Sequence, residues 1–278
     1  MRARFVRNAV TAVIGLTLAA AAHAQQPAKQ LSSSLTWEQK EEFLKKAKVT
    51  VTKSVSKGIT GTSRVTLSDG KTTHDASVQT IDEHQTVFQP QGGKTELNFK
   101  DTYRFNTAAW KLARLIGLES MIPPSVDRSF GGKSAAFTWW IDDVQMDEGE
   151  RQKKNASSPN SVQWQQDSAM VKVFDQLIAN TDRNVGNLQI DKDWRIWMID
   201  HTRAFRSGKD LTSPASLTLI DRNVLAKLKD LDQNALAKEL KGFADGGEVK
   251  ALLARRDAIV KIFEAKGESA LFTMTPRN

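Results

Sequence analysis

The chain has 278 residues, with 40 Lys and Arg against 32 Asp and Glu and a mean hydropathy of −0.44. This composition is typical of a globular protein and excludes a mainly disordered or membrane-embedded chain. The absence of cysteine excludes disulfides, thiol nucleophiles and cysteine-ligated metal centres. Only four histidines are present, so imidazole chemistry has few candidates.

The N-terminus has the pattern of a secretory signal peptide. Three arginines precede an apolar run over residues 9–22, which ends in Ala22-His23-Ala24. The run is too short to span a bilayer, so we expect cleavage after Ala24, a secreted or periplasmic protein, and no transmembrane segment in the mature chain. The mature chain is only mildly basic and has no dense Lys/Arg run with interleaved aromatics, so no nucleic-acid partner is expected.

The first half of the mature chain is predicted to be rich in strands. Residues 25–35 are polar and predict a flexible leader, and Thr36 with Gln39 predicts the capping box of a helix. Alternating Thr and Val side chains between residues 49 and 81 predict an antiparallel meander. Helical spacing follows from Asp101 to Gly117, where the glycine suits the C-cap.

Two more strands are predicted over residues 125–130 and 135–141, joined by a Gly-Gly hairpin turn. Residues 147–162 are the most linker-like stretch, which places a boundary between a β-rich N-lobe at 36–146 and a helical C-lobe at 147–278. The C-lobe is predicted to contain a β-hairpin over 187–199 and several amphipathic helices. This order of elements predicts an α+β fold with the two lobes of a kinase.

The strongest chemical signal is the segment Asp182-Arg183-Asn184-Val185-Gly186-Asn187, followed by Asp200 at the end of a strand. Phosphoryl transfer needs one carboxylate to orient the acceptor hydroxyl, and oxygen ligands from an Asn and a second Asp to hold a divalent metal. Each piece alone could be a polar turn, because Asp and Asn favour turns. Together, beside the very apolar run 194–199, they favour a functional site.

The same residues resemble the atypical kinase superfamily, which includes phosphatidylinositol 3-/4-kinases, Golgi casein kinases and HipA-type kinases. That family's pattern is Asp-Arg-His/Asn-x-x-Asn, then a hydrophobic strand ending in Ile/Leu-Asp. The resemblance implies that Asp182 is the catalytic acid/base, that Asn187 and Asp200 are metal ligands, and that Arg183 is a structural cation of the catalytic loop. His201 and Thr202 differ from the Asn-Gly that follows the second Asp in that family.

The N-lobe carries looser candidates for nucleotide binding. Gly58 and Gly61 could cover phosphates with backbone amides, although an ordinary turn has the same pattern. The family needs a strand lysine for the phosphates, and Lys100 is the candidate, whereas another alignment places Gln79 there. The resemblance also puts Asn106 where the family has a glutamate that pairs with this lysine, and it puts Trp140 in the adenine-binding hinge.

The function predicted from these residues is an exported atypical kinase that transfers the γ-phosphate of ATP, with Mg²⁺ or Mn²⁺, to an unknown protein, lipid or small-molecule acceptor. The alternative is a catalytically weak kinase-like domain that binds a nucleotide or a partner in the periplasm. Scarcity of ATP outside the cytoplasm and Asn106 favour the alternative. The presence of Asp182, Asn187 and Asp200 favours activity. No hydrolase motif competes with either interpretation.

Overall fold

The computed structural model describes residues 34–54, 62–89 and 95–275. The predicted signal peptide, nearly all of the predicted leader, and both Gly58 and Gly61 lie outside these ranges. The helices are α1 (Trp37–Lys46), α2 (Arg104–Ile116), α3 (Glu148–Lys153), α4 (Ser161–Ile178), α5 (Arg222–Asp230), α6 (Gln233–Glu239) and α7 (Gly246–Lys266). The strands are β1 (Lys48–Ser54), β2 (Ser63–Ser68), β3 (Thr73–Gln79), β4 (Asp82–Phe88), β5 (Glu96–Thr102), β6 (Ser125–Phe130), β7 (Lys133–Trp139), β8 (Val144–Asp147), β9 (Leu188–Asp191), β10 (Ile196–Met198), β11 (Ile220–Asp221) and β12 (Leu271–Phe272).

The first half is built on an antiparallel five-stranded sheet in the order β1-β2-β3-β7-β6. The predicted meander is confirmed as β1–β3, and the Gly-Gly turn joins β6 to β7 with both glycines at positive φ. Helix α1 covers one face of this sheet and begins with the predicted capping box between Thr36 and Gln39. Its core is formed by Phe43, Leu44, Val65, Leu67, Val78 and Phe137.

A second hairpin, β4–β5, was not predicted from the sequence. It lies between β3 and α2 in the chain and pairs with itself rather than with the five-stranded sheet. Nearly all of β4 is exposed, so it lacks the apolar alternation by which strands are recognised. The end of β5 joins the C-terminal half through a hydrogen bond from Thr102 N to Thr202 O at 2.9 Å.

Helix α2 belongs to the larger, C-terminal core. Most of its residues are buried, and they pack in one apolar cluster with α4, α5 and α7. Its end is as predicted, because Gly117 has a φ of 80° and its N–H bonds to Ala113 O. The helix is therefore anchored to the half of the molecule that carries the catalytic-loop motif.

The predicted linker over residues 147–162 is not irregular throughout, since it contains α3. Asp147 caps this short helix by accepting from Glu150 N at 2.7 Å, and Arg151 pairs with Glu148 inside it. Strands β8, β9 and β10 form a three-stranded antiparallel sheet that contains the predicted hairpin. The α+β fold class is confirmed. No helix among the described residues is long and apolar enough to cross a membrane.

Candidate active site

A cavity of about 660 Å³ opens between the five-stranded sheet and the C-terminal half. Asp182, Asn187 and Asp200 all line it, as does Trp140. The loop of Asp182 and Asn187 precedes β9, and Asp200 follows the paired strand β10. A hydrogen bond from Ile199 N to Asn187 O, 3.0 Å long, joins the two segments. The structure therefore brings the acid/base candidate and both metal-ligand candidates into one cleft.

The loop of Asp182 is shaped by its own side chains. Helix α4 ends at Ile178, and Ala179 adopts a left-handed φ of 48° that turns the chain out of the helix. Asn180 Oδ1 accepts from Asp182 N at 3.1 Å, and Asn187 Nδ2 donates to the Asp182 carbonyl oxygen at 3.3 Å. Because Asn187 uses its amide nitrogen in this way, its side-chain oxygen is the atom it can offer to a cation.

Arg183 ties this loop to the rest of the C-terminal half. Its Nε and Nη2 each donate to the Asp175 carboxylate at 3.0 Å. Its Nη1 donates to the carbonyl oxygens of Asn187 at 3.1 Å and Ile199 at 2.7 Å. Arg183 is not among the residues that line the cavity. The structure thus places it behind the cleft, where a structural cation of the loop would lie, and not at a reacting atom.

Asp200 lies directly after β10 in an uncommon backbone conformation. Its φ is 55°, in the left-handed region that non-glycine residues rarely adopt and that is enriched at functional sites. Its Oδ1 accepts hydrogen bonds from Gln79 Nε2 and from Thr202 Oγ1, both at 3.2 Å. Two donors on one oxygen fix the orientation of the carboxylate, which has a second oxygen to offer to a cation.

The donor set of the cleft fits a divalent cation that is shared with a ligand. In the part of the chain that the structure describes, no group of three or more His, Cys, Asp or Glu side chains could hold a metal ion. The cleft instead offers the Asp200 carboxylate and the Asn187 amide oxygen. Magnesium is commonly bound by one or two carboxylates together with the phosphates of its substrate. These residues therefore fit a cation whose remaining ligands come from a nucleotide.

Comparison with known proteins bears on the fold. No protein-family model matches the chain, and no curated protein matches it in sequence. The structure of hydra Fam20 with sugar superimposes with a TM-score of 0.63 at 14% identity, over 89% of this chain and 95% of that one. The Helicobacter pylori proinflammatory kinase CtkA matches with a TM-score of 0.42 at 12% identity, over 78% and 92%. The fold is kinase-like.

In a kinase-like fold, a lysine on the third strand and a glutamate on the following helix flank the phosphate site. Here those elements present two neutral amides. Gln79 is the last residue of β3 and Asn106 lies in the first turn of α2, and Asn106 Nδ2 donates to Gln79 Oε1 at 2.5 Å. Asn106 Oδ1 accepts from His201 N at 2.8 Å. The amide pair therefore links the sheet to the segment that carries Asp200.

Lys100 does not line the cavity. It lies on β5, where its Nζ contacts Asp245 at 2.7 Å and Glu248 at 2.5 Å at the start of α7. Burial alone would lower the pKa of Lys100, but hydrogen bonds with these two carboxylates outweigh it and raise that pKa. Because the β4–β5 hairpin is inserted before α2, the strand next to the helix in sequence is not a strand of the main sheet. Gln79, the other residue considered from the sequence, is the one that faces Asp200.

His201 lies at the edge of the cleft and is almost completely buried. Burial, and to a smaller extent the charge of Arg183, lowers the pKa of His201 well below 6.5, so the imidazole is neutral at pH 7. Its ring lies edge-on to Phe174. His201 is thus a neutral ring that packs the Asp200 segment against Phe174 of α4.

Trp140, the hinge candidate from the sequence, directly follows Trp139 at the end of β7, and the two rings have different surroundings. Trp139 is buried and stacks on His74, with ring centroids 3.7 Å apart. The guanidinium carbon of Arg64 lies 4.1 Å from the ring centroid of Trp140. The cavity is also lined by Asp147 and Glu150, which were not recognised from the sequence. The signal available for them was the acidic run just after the hinge segment.

Proposed function

We propose that this chain is an exported atypical kinase, which transfers the γ-phosphoryl group of ATP to a hydroxyl group of an acceptor. The observation that carries this proposal is the convergence of Asp182, Asn187 and Asp200 in one cleft of a kinase-like fold. The pattern in the first 24 residues supports export. The acceptor is a protein, a lipid or a small molecule.

Each side chain has a separate task in this reaction. The Asp182 carboxylate orients the acceptor hydroxyl and accepts its proton as the oxygen attacks. Asn187 Oδ1 and the Asp200 carboxylate would hold Mg²⁺ or Mn²⁺, which neutralises charge on the phosphates when it is bound. Trp140 and its neighbours Trp139 and Ile141 line the cavity, and the adenine would lie against them. Arg183 keeps the carbonyl oxygens of the loop fixed so that Asp182 does not move.

A second candidate is a nucleotide-binding module that does not transfer phosphate. The specific observation in its favour is the neutral Gln79–Asn106 pair in place of a lysine and a glutamate. Scarcity of ATP outside the cytoplasm supports the same candidate. Both candidates require a metal–nucleotide complex in the cleft, so binding and transfer must be measured separately.

Binding is tested by thermal unfolding of the purified protein with ATP and either Mg²⁺ or Mn²⁺. We expect the midpoint to rise for the wild type, because a ligand that binds only the folded state stabilises it. Asp200→Ala should lose this rise. Lys100→Met, which removes a charge outside the cavity, should keep it relative to its own midpoint. Absence of a rise with both metals would overturn the kinase proposal and the binding module together.

Transfer is tested by following phosphate from radiolabelled ATP onto the protein itself and into solution. Asp182→Asn keeps the size of the side chain but cannot accept the proton. We expect its rate to fall by about 10²–10⁴-fold, the usual contribution of a general base, while the thermal shift with metal–ATP is retained. Equal, near-zero rates for wild type and Asp182→Asn, with the thermal shift intact, would favour the second candidate.

A further inference from the structure

All the charged side chains that line the described part of the cleft are acidic. Four carboxylates line it, those of Asp147, Glu150, Asp182 and Asp200. Over residues 34–54, 62–89 and 95–275, no lysine or arginine lines it. A triphosphate is strongly anionic, so the described part of this lining offers it no positive charge.

The amide pair explains how the sheet side of the cleft remains neutral. Gln79 Nε2 donates to Asp200 Oδ1, as a lysine at this position could, but it brings no positive charge. Asn106 in turn fixes the orientation of the Gln79 amide, because Nδ2 of Asn106 donates to Oε1 of Gln79. The pair therefore orients the Asp200 carboxylate while leaving its full negative charge for a cation.

We infer that, because Gln79 is neutral, the positive charge needed to bind a nucleotide in the cleft comes from a divalent cation. The cleft therefore binds the cation without nucleotide, and it does not bind metal-free ATP. The inference rests on the proposed function and adds a positioning role for Gln79. A lysine at residue 79 would compete with the cation for Asp200 and would attract phosphate directly. The two arrangements thus predict opposite responses to the metal.

The first measurement is the affinity for Mn²⁺ in the absence of nucleotide. The concentration of free Mn²⁺ is monitored by electron paramagnetic resonance. The second is calorimetric titration with ATP in the presence of EDTA. For Gln79→Lys we expect Mn²⁺ affinity to fall by about tenfold, as one added charge interaction would give, and binding of metal-free ATP to become detectable. The double variant Gln79→Lys/Asn106→Glu should hold the new lysine in place and behave in the same direction.

Two further variants separate charge from shape. Gln79→Met removes the hydrogen bond without adding charge, so Mn²⁺ affinity should fall modestly and metal-free ATP should still not bind. Gln233→Lys makes the same change on the exposed surface of α6 and should alter neither measurement. Lys57 directly precedes the predicted glycine loop in sequence and lies outside the described residues. It is tested by Lys57→Ala, which should leave the absence of metal-free ATP binding unchanged.

The outcomes distinguish this inference from the proposed function. If the wild type binds ATP equally well in EDTA and in Mn²⁺, the inference is overturned while the kinase proposal stands. If the wild type binds metal-free ATP and Lys57→Ala does not, a lysine supplies the charge and the inference is again overturned. If Mn²⁺ binds but no metal–ATP complex does, both fail. Opposite shifts in Gln79→Lys together with unchanged Gln233→Lys support the inference.

Discussion

The two walls of the cleft are held by different kinds of interaction. The C-terminal wall is tied by a cation, Arg183, which reaches a carboxylate on α4 and two backbone carbonyls. The sheet wall is tied by two neutral amides, Gln79 and Asn106. The wall with paired charge carries the residues that match the kinase motif. The wall without charge departs from that motif. Any positive charge that balances Asp200 on this side must therefore come from a bound cation.

The largest effect is expected from removing the cation of the C-terminal wall. Arg183→Met removes the cation paired with the mostly buried Asp175 carboxylate and leaves the Ile199 carbonyl oxygen without its side-chain donor. Loss of one partner from such a pair should lower the free energy of unfolding by about 3–5 kcal/mol. Urea denaturation followed by circular dichroism measures this. Arg183→Lys keeps the charge but not the paired geometry and should recover only part of the loss. A loss below about 1 kcal/mol would show that the loop does not depend on this cation.

A smaller effect is expected on the sheet wall. Asn106→Ala leaves the His201 N–H and the Gln79 side-chain oxygen without their partner in a buried region. Gln79 lines the cavity, where water can replace the lost bond, so the cost comes mainly from the buried His201 N–H, and we expect a loss of about 1–3 kcal/mol in the same urea experiment. The matched control is Asn234→Ala on exposed α6, which should change stability by less than about 0.5 kcal/mol. Equal losses in the two variants would contradict the role of the amide pair.

The smallest effect is expected on the pH dependence of stability, through His201 next to Asp200. Because the pKa of His201 is lowered in the folded protein, the unfolded chain takes up a proton below about pH 6.5 and the folded chain does not. Stability from this group is therefore present above pH 6.5 and is lost as the pH falls toward the lowered pKa. The loss cannot exceed about 1.4 kcal/mol per pH unit, which is the free energy of one pKa unit.

His201→Phe should remove this part of the acid sensitivity, measured as unfolding free energy at pH 7.5, 6.5 and 5.5. An unchanged slope in His201→Phe would mean that other groups cause the loss.

Sequence reasoning succeeded where the signal was local. The capping box of α1, the glycine end of α2 and the Gly-Gly hairpin each depend on residues within four positions of one another. The pairing of Asp182 and Asn187 with Asp200 was also expected, because one short hairpin separates the two loops. The β4–β5 hairpin was missed because an exposed strand has no apolar alternation to reveal it.

The choice between Lys100 and Gln79 could not be made from local pattern. Both residues lie on strands before a helix, and lysine has the charge that the family pattern requires. Lys100 instead contacts two carboxylates at the start of α7, more than 140 residues away in sequence. Asp147 and Glu150 were missed for a similar reason, since an acidic run on a short helix has the same composition whether it faces a cavity or water.

The amino-acid sequence by itself determined the α+β order of elements, the start of α1, the end of α2 and the acid–amide set proposed for phosphoryl transfer. These follow from capping, periodicity and short spacing, which act between near neighbours. The tertiary structure alone decided which side chain faces Asp200, where Arg183 acts and how the cleft is charged. Those features depend on contacts between distant segments. Lys100 lies on the inserted β4–β5 hairpin and contacts Asp245, whereas Gln79 on the main sheet contacts Asp200.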